Sequence, residues 1–211
     1  MMNDLFAGPT EPLGDGALLL RGFADAPAAD LFAAVERIAA AAPFRHLVTP
    51  GGFRMSVAMT NCGAYGWVSD RKGYRYDPLD PESGRPWPDM PPLFAGLAAR
   101  AAERAGYGNF ASDVCLVNCY TPGTRLTLHQ DRDEGDFAQP IVSISLGLPA
   151  TFLWGGLQRS DRARRLPLFH GDVVVWGGPS RLRFHGIAPL KEGSHPLTGE
   201  RRLNLTFRRA R

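Results

Sequence analysis

The segment from Arg202 to Arg208 constrains this chain most: Arg202, Asn204, Thr206 and Arg208 alternate with Leu203, Leu205 and Phe207. Successive side chains of a strand point to opposite faces, so this segment has one apolar face and one bearing guanidinium, amide and hydroxyl groups. If Leu203, Leu205 and Phe207 pack in a core, the polar face must line a space that wants positive charge and hydrogen-bond donors. A dicarboxylate gripped by arginine forks meets that description.

A second pattern bears on the same space. In Leu126-Thr127-Leu128-His129-Gln130-Asp131, His129 and Asp131 share a strand face while Gln130 points away. A further strand supplying His185, from Phe184-His185-Gly186, would complete two imidazoles and a carboxylate on one side of a metal ion. That donor set suits non-haem Fe(II) and leaves three of six octahedral positions open. His-x-Asp alone arises often by chance; the arginine strand gives it weight. Asp172 has no histidine two residues away and ranks below Asp131 as the carboxylate. His46, His170 and His195 are the other histidines; His170, before Gly171-Asp172, reads as a turn residue, and His195, before Pro196, as a loop residue.

The 211 residues fit one domain, and 44% hydrophobic with 21% charged content is ordinary for a soluble globular protein. No apolar run is long enough to span a bilayer, and Met1 to Thr10 lacks the basic and apolar regions of a secretory signal, so the expectation is a cytoplasmic protein with no membrane contact. Cys62, Cys115 and Cys119 are odd in number and at no zinc-ribbon spacing, which suggests small buried hydrophobes in a reducing compartment. The net charge of +3 conceals an asymmetry: from Arg159 to Arg211, 11 Arg and 1 Lys face 4 acids, a surplus of +8 against −5 for the rest. A basic final third suits a polyanionic partner, although a solvated surface explains charge alone.

In chain order, residues 1–16 read as an irregular arm, followed by a short strand at Ala17-Leu18-Leu19-Leu20. Asp25 is a candidate cap for a helix with Pro27 in its first turn and Leu31, Val35 and Ile38 at helical spacing. Phe53 to Met59 alternates as a strand, Asn61-Cys62-Gly63 reads as a turn, and Gly66-Trp67 with Gly73-Tyr74-Arg75-Tyr76 reads as a hairpin closed by a proline-dense loop from Asp77 to Pro92. Trp67 and Tyr74 suit a core, yet Arg71 and Lys72 lie beside them, as in a base-stacking platform with backbone contacts. A second helix starts at Pro91-Pro92-Leu93, carries Leu93, Leu97 and Ala101 on one face and ends at Gly106. Short strands follow at Val114 to Tyr120, Thr124 to Gln130, Ile141 to Leu148, Thr151 to Trp154, Asp172 to Trp176, Leu182 to His185 and Arg202 to Arg208. Such a run predicts a mainly β, α+β fold: a two-sheet antiparallel jelly roll with two flanking helices.

With these motifs in place, and with Met59-Thr60-Asn61-Cys62-Gly63, Asn118-Cys119-Tyr120, Ser145-Leu146-Gly147 and His170-Gly171-Asp172 through Trp176-Gly177-Gly178 in order, the chain from about Met55 to Arg208 resembles the AlkB family of Fe(II)/2-oxoglutarate-dependent dioxygenases. The resemblance implies a double-stranded β-helix with an N-terminal substrate lid. It implies one catalytic domain over 1–211, with an N-terminal extension and nucleotide-recognition lid over about 1–110 and the jelly-roll core over about 111–211; nothing is assigned to the first 50 or so residues.

The resemblance further implies His129, Asp131 and His185 as iron ligands. Arg202 would grip the distal carboxylate of the cosubstrate 2-oxoglutarate, with Arg208 near its iron-chelating end and Asn118, Tyr120 and Asn204 adding hydrogen bonds. The face-sharing of Asn118 with Tyr120, and of Arg202, Asn204 and Arg208, agrees with that role.

The implied activity is DNA repair: demethylation of N1-methyladenine and N3-methylcytosine in alkylated single-stranded DNA, using Fe(II), 2-oxoglutarate and O2 and releasing succinate, CO2 and formaldehyde. The protein would act as a monomer. Trp67, Tyr74 and Asp133 match the family's base-contacting positions, and Met59, Ser143 and Arg159 match others around the substrate. Both lesions are cationic, which suits an aromatic face with a nearby carboxylate. The base must leave the stack to be reached. Other readings stay open at this point: the same chemistry on duplex DNA, RNA or another methylated substrate, a non-catalytic jelly-roll binding module, or a zinc hydrolase with the same ligands.

Overall fold

The computed structural model describes residues 8–211. The strands are β1 (Thr10–Gly14), β2 (Ala17–Leu20), β3 (Ala58–Gly63), β4 (Gly66–Asp70), β5 (Gly73–Asp77), β6 (Val114–Tyr120), β7 (Leu126–His129), β8 (Ile141–Gly147), β9 (Ala150–Trp154), β10 (Arg164–Leu168), β11 (Val173–Trp176), β12 (His185–Ile187) and β13 (Arg202–Arg208). The α-helices are α1 (Ala28–Ala41) and α2 (Pro92–Arg104).

A major sheet in the order β1-β2-β11-β8-β13-β6-β3 faces a minor sheet in the order β10-β9-β12-β7, and β4-β5 forms a separate hairpin. The two sheets make a jelly roll, and the helices cover the outside of the major sheet. Leu31, Val35 and Ile38 of α1 and Phe94, Leu97 and Ala101 of α2 pack with Val117, Ile144, Val175, Leu203, Leu205 and Phe207 in one buried cluster. A second cluster, with Leu116, Ile141, Phe152, Trp154 and Trp176, lies between the sheets, and Leu116, Phe152 and Trp176 form part of the cavity wall. The alternation of β13 thus has the expected result: its leucines and Phe207 join the helix-side core, and its polar side chains face inward between the sheets.

The first part of the chain departs from the sequence expectations. Of the arm at 1–16, residues 1–7 lie outside the described residues, and Thr10–Gly14 is a strand paired with β2. Asp25 does not cap α1: the cap position is Pro27, with no side-chain hydrogen bond. Phe53 to Met59 is mostly not strand, and Phe53 is 77% exposed. Asn61-Cys62-Gly63 is no turn but the end of β3, paired through Cys62↔Cys115.

Five of the seven later strands differ in their bounds, at Leu126–His129, Ile141–Gly147, Ala150–Trp154, Val173–Trp176 and His185–Ile187, and β10 is an addition. His170 accepts a hydrogen bond from the Gly147 backbone N–H at 2.9 Å and stacks on His195 at 4.4 Å between ring centroids, a structural role for both. Asp172 is spent on Arg21 and on the backbone N–H groups of Gly22 and Phe169. The cysteines are unpaired, Cys62 and Cys115 buried and Cys119 partly so.

Candidate active site

His129 is the last residue of β7, and the antiparallel register sets it directly opposite His185, the first residue of β12. The two strands can press this close because residue 186 is glycine: a Cβ there would lie 2.5 Å from the Leu126 carbonyl oxygen. Asp131 lies just beyond β7, in chain without regular structure. Its Oδ1 is 3.7 Å from His129 Nε2, and its Oδ2 is 3.7 Å from His185 Nε2. Donor atoms of the three side chains lie within 4.8 Å of one another, so they could hold one metal ion. Gln130 turns away, donating to the Leu182 carbonyl.

Each imidazole is oriented through its other nitrogen, His129 Nδ1 against the Thr127 carbonyl at 2.9 Å and His185 Nδ1 against that of Arg183 at 3.0 Å. Such contacts leave Nε2 free as the ligand atom. Burial, reinforced by neighbouring His129, lowers the His185 pKa to about 4, so this ring is neutral at pH 7. Burial opposes ionisation of Asp131, but Arg208, His185 and His129 together hold its carboxyl well below the usual carboxylate range. An anionic carboxylate and a neutral imidazole are the protonation states that metal ligation requires.

Behind this cluster the cavity widens to about 910 Å³ between the sheets. Its floor is formed by β6 and β13, where Arg202 opposes Tyr120 and Asn204 opposes Asn118. Arg202 is 1% exposed, donates from Nη2 to Ser145 Oγ at 2.9 Å and has its guanidinium 5.1 Å from the Tyr120 ring centroid. Its Nε and Nη1 have no partner, although both are buried. Unpaired buried donors on a cation are costly, and burial alone lowers the Arg202 pKa. A carboxylate group in the cavity would satisfy both nitrogens. Asn118 donates to Asn204 Oδ1 at 3.4 Å, and Asn204 donates to Ser143 Oγ at 2.8 Å. Asn118 Oδ1 is a further unpartnered atom. Burial pushes the Tyr120 hydroxyl up to about 12, so it remains a proton donor.

Arg208, on the same strand face, has a different environment. Its Nε and Nη2 donate to Asp131 Oδ2 at 3.0 and 2.7 Å. It therefore grips the metal-facing carboxylate directly, a contact that the sequence reading did not anticipate.

The cavity mouth is roofed by the β4-β5 hairpin. Trp67 and Tyr74 stack at 5.6 Å with 12° between planes, and Tyr74 is 47% exposed. Trp67 Nε1 donates to Asp133 Oδ2 at 3.0 Å, so the carboxylate expected near the base is fixed to the aromatic roof. Met59, Ser143 and Arg159 also line this cavity, Met59 and Ser143 buried in its wall and Arg159 exposed with its guanidinium 5.1 Å from the Phe184 ring centroid. All fourteen sequence-selected residues converge on one cavity. Missed were the rim cations Arg54, Arg125 and Arg132, and Glu134, Ser145 and Arg181 packed around the site. The basic surplus of the final third lies outside Arg54, Arg125 and Arg132, and nothing local signalled Glu134 or Arg181.

Comparison with known proteins agrees with this geometry. Residues 16–208 match the model of the 2OG-Fe(II) oxygenase superfamily. The chain is 57% identical over 212 residues to the alpha-ketoglutarate-dependent dioxygenase AlkB of Escherichia coli K12, covering 99% of this chain and 98% of that protein. The tRNA demethylase abh1 of Schizosaccharomyces pombe is 35% identical over 102 residues, 47% of this chain and 34% of that one. The solved structure of OsALKBH1 superposes with a TM-score of 0.84 at 30% identity, covering 95% of this chain and 100% of that one. The chain belongs to the AlkB family of the 2OG-Fe(II) oxygenases and is an alpha-ketoglutarate-dependent dioxygenase requiring Fe(II), 2-oxoglutarate and O2.

Proposed function

We propose that this dioxygenase repairs alkylated DNA by demethylating N1-methyladenine and N3-methylcytosine, mainly in single strands. The observation that carries the reading is the Trp67–Tyr74 stack with Asp133 hydrogen-bonded to it, opening onto the His129, Asp131 and His185 cluster. A flat cation entering between aromatic roof and metal would gain stacking, cation–π attraction and a carboxylate partner, none of which favours a neutral aliphatic substrate as strongly. Exposed Arg54, Arg125, Arg132 and Arg159 ring the mouth, as a phosphate backbone would require.

In this reading His129, Asp131 and His185 would hold Fe(II). Arg202 receives the distal carboxylate of 2-oxoglutarate; Asn118, Tyr120 and Asn204 border it, and Arg208 supports the chelating end through Asp131. When bound, iron with 2-oxoglutarate and O2 supplies the oxidation that converts the N-methyl group to formaldehyde, with succinate and CO2 formed from the cosubstrate. Trp67 and Tyr74 hold the base plane, Asp133 accepts from its exocyclic amine, and Met59, Ser143 and Arg159 limit its sliding. The lid is the β4-β5 hairpin, and the whole chain works as one catalytic domain. We expect a cytoplasmic monomer; no helix among the described residues is long and apolar enough to cross a membrane.

The test is an anaerobically reconstituted reaction with a single-stranded oligonucleotide carrying one N1-methyladenine, followed by mass after O2 is admitted. Loss of one methyl mass that needs both Fe(II) and 2-oxoglutarate, and faster loss than from the corresponding duplex or RNA, is expected. Preference for the RNA strand, the substrate class named for the S. pombe relative, would redirect the reading to RNA; succinate without base repair would redirect it to another substrate.

Trp67→Ala should weaken binding of the methylated oligonucleotide about 5- to 150-fold, from a stacking contribution of about 1–3 kcal/mol. Fe(II) affinity should change by less than about threefold. Fluorescence anisotropy with metal-loaded protein measures the first, and unchanged anisotropy would return Trp67 to a packing role.

A further inference from the structure

Asp131 has none of the strand hydrogen bonds that fix His129 and His185, so something else must immobilise it. Arg181, 3% exposed, donates from Nη1 to the Asp131 backbone carbonyl at 2.8 Å and from Nε to the Gln139 carbonyl at 3.1 Å. Its Nη2 lies 3.1 Å from Glu134 Oε2, at ion-pair distance but without a directed N–H. The other oxygen of Glu134 accepts from the Tyr76 hydroxyl at 2.5 Å and lies 3.4 Å from Arg208 Nε. Burial pushes the Tyr76 pKa well up, which keeps that hydroxyl a donor.

Asp131, Arg208, Glu134 and Arg181 therefore form a buried set of two anions and two cations. Arg208 is shared between two carboxylates, and its fork takes only the Oδ2 atom of Asp131, leaving Oδ1 free. Without Glu134 the fork would be free to close on both oxygens of Asp131. The same short run also grips the roof. Trp67 and Tyr76 are a cross-strand pair of the hairpin; Asp133 holds the first and Glu134 the second.

We infer that Glu134 and Arg181 are positioning residues that hold Asp131 with one oxygen presented to the metal, and that the Glu134–Tyr76 hydrogen bond fixes the base-stacking hairpin to the same loop. The inference rests on the metal reading of the site. Neither residue touches the reacting atoms; both act through Asp131, Arg208 and the roof.

The experiment uses the full chain, titrated anaerobically with Fe(II) in the presence of 2-oxoglutarate. Affinity is measured by calorimetry, and ligand geometry by the charge-transfer absorption of the iron–oxoacid chelate. Glu134→Gln and Arg181→Gln should each weaken Fe(II) binding about 10- to 100-fold, the range for outer-shell partners of metal ligands, and alter the absorption band. Arg181→Lys, which keeps the charge, should recover part of the affinity. Tyr76→Phe should leave Fe(II) affinity and the band unchanged while raising the oligonucleotide KM several-fold at nearly constant kcat.

Fe(II) affinity within twofold of the parent and an unmoved band in both glutamine variants would overturn the inference, whatever their melting temperatures. If Arg181→Gln does not fold, Glu134→Gln, which keeps every heavy-atom position, decides alone. A parent protein that gives no band would instead remove the metal reading beneath it.

Discussion

Asp131→Ala is expected to abolish iron-dependent turnover and to lower the melting temperature in the same step. Asp131 is the one carboxylate among the three converging side chains, so its loss removes the anionic ligand from a site built for a divalent cation. The effect on Fe(II) affinity should exceed the roughly 10- to 100-fold expected for outer-shell changes. The truncation also deprives the buried Arg208 fork of its two short hydrogen bonds, leaving Glu134 at 3.4 Å as its remaining carboxylate. Breaking a buried pair by removing one partner costs about 3–5 kcal/mol. In a chain of this size that corresponds to a fall of roughly 6–20 °C in melting temperature.

Asp131→Asn separates the two effects. Its amide oxygen can still accept from Arg208, so most of the stability should return, while a neutral amide remains a poor iron ligand. Anaerobic Fe(II) titration and calorimetric melting of both variants measure this. Asp131→Ala retaining parental iron affinity despite a lower melting temperature would make Asp131 a structural residue only.

The distribution of these contacts along the chain explains what sequence reasoning found. Arg202 to Arg208 was legible because strand alternation is local: one residue shifts the face, and the apolar half must go to the core. His129, Asp131 and His185 were legible because ligation requires particular atom types at short spacing. Phe53 to Met59 misled for the converse reason: it alternates, yet Phe53 and Arg54 are exposed and only Ala58 and Met59, the start of β3, pair in the sheet. The real strand, β3, was concealed by polar residues that are satisfied internally. Thr60 donates to the Ala42 carbonyl, and Asn61 exchanges hydrogen bonds with the Trp67 backbone, so neither needs water. β10 was hidden by Arg164, Arg165 and Pro167, which only an edge strand accommodates comfortably. Glu134 and Arg181 carry no local signal, since their partners are set by tertiary packing across tens of residues.

Arg202→Ala should raise the concentration of 2-oxoglutarate needed for half-maximal turnover about 30- to 5,000-fold, while oligonucleotide affinity stays within about twofold. The magnitude follows from removing one partner of a buried, hydrogen-bonded charge pair, about 2–5 kcal/mol. The variant without ligand should not be destabilised in proportion. Arg202 Nε and Nη1 have no protein partner, so alanine removes a cation whose burial is only partly compensated, by Ser145 and the Tyr120 ring, until a carboxylate arrives.

Thermal melting makes that contrast measurable. Saturation at about 100 times Kd stabilises the parent by about 2.7 kcal/mol, or roughly 5–11 °C, and the same 2-oxoglutarate concentration should scarcely move the variant. Arg202→Lys keeps the charge but loses the fork, and should fall between them. Equal losses of 2-oxoglutarate and oligonucleotide affinity would sink the assignment. The comparison with Arg208 supplies the underlying reason. Two buried guanidinium groups occupy one face of one strand; the protein satisfies Arg208 with Asp131 and Glu134, and leaves Arg202 two donors short. A chain that buries a cation incompletely paired, beside one paired with care, has its missing acceptor in the ligand.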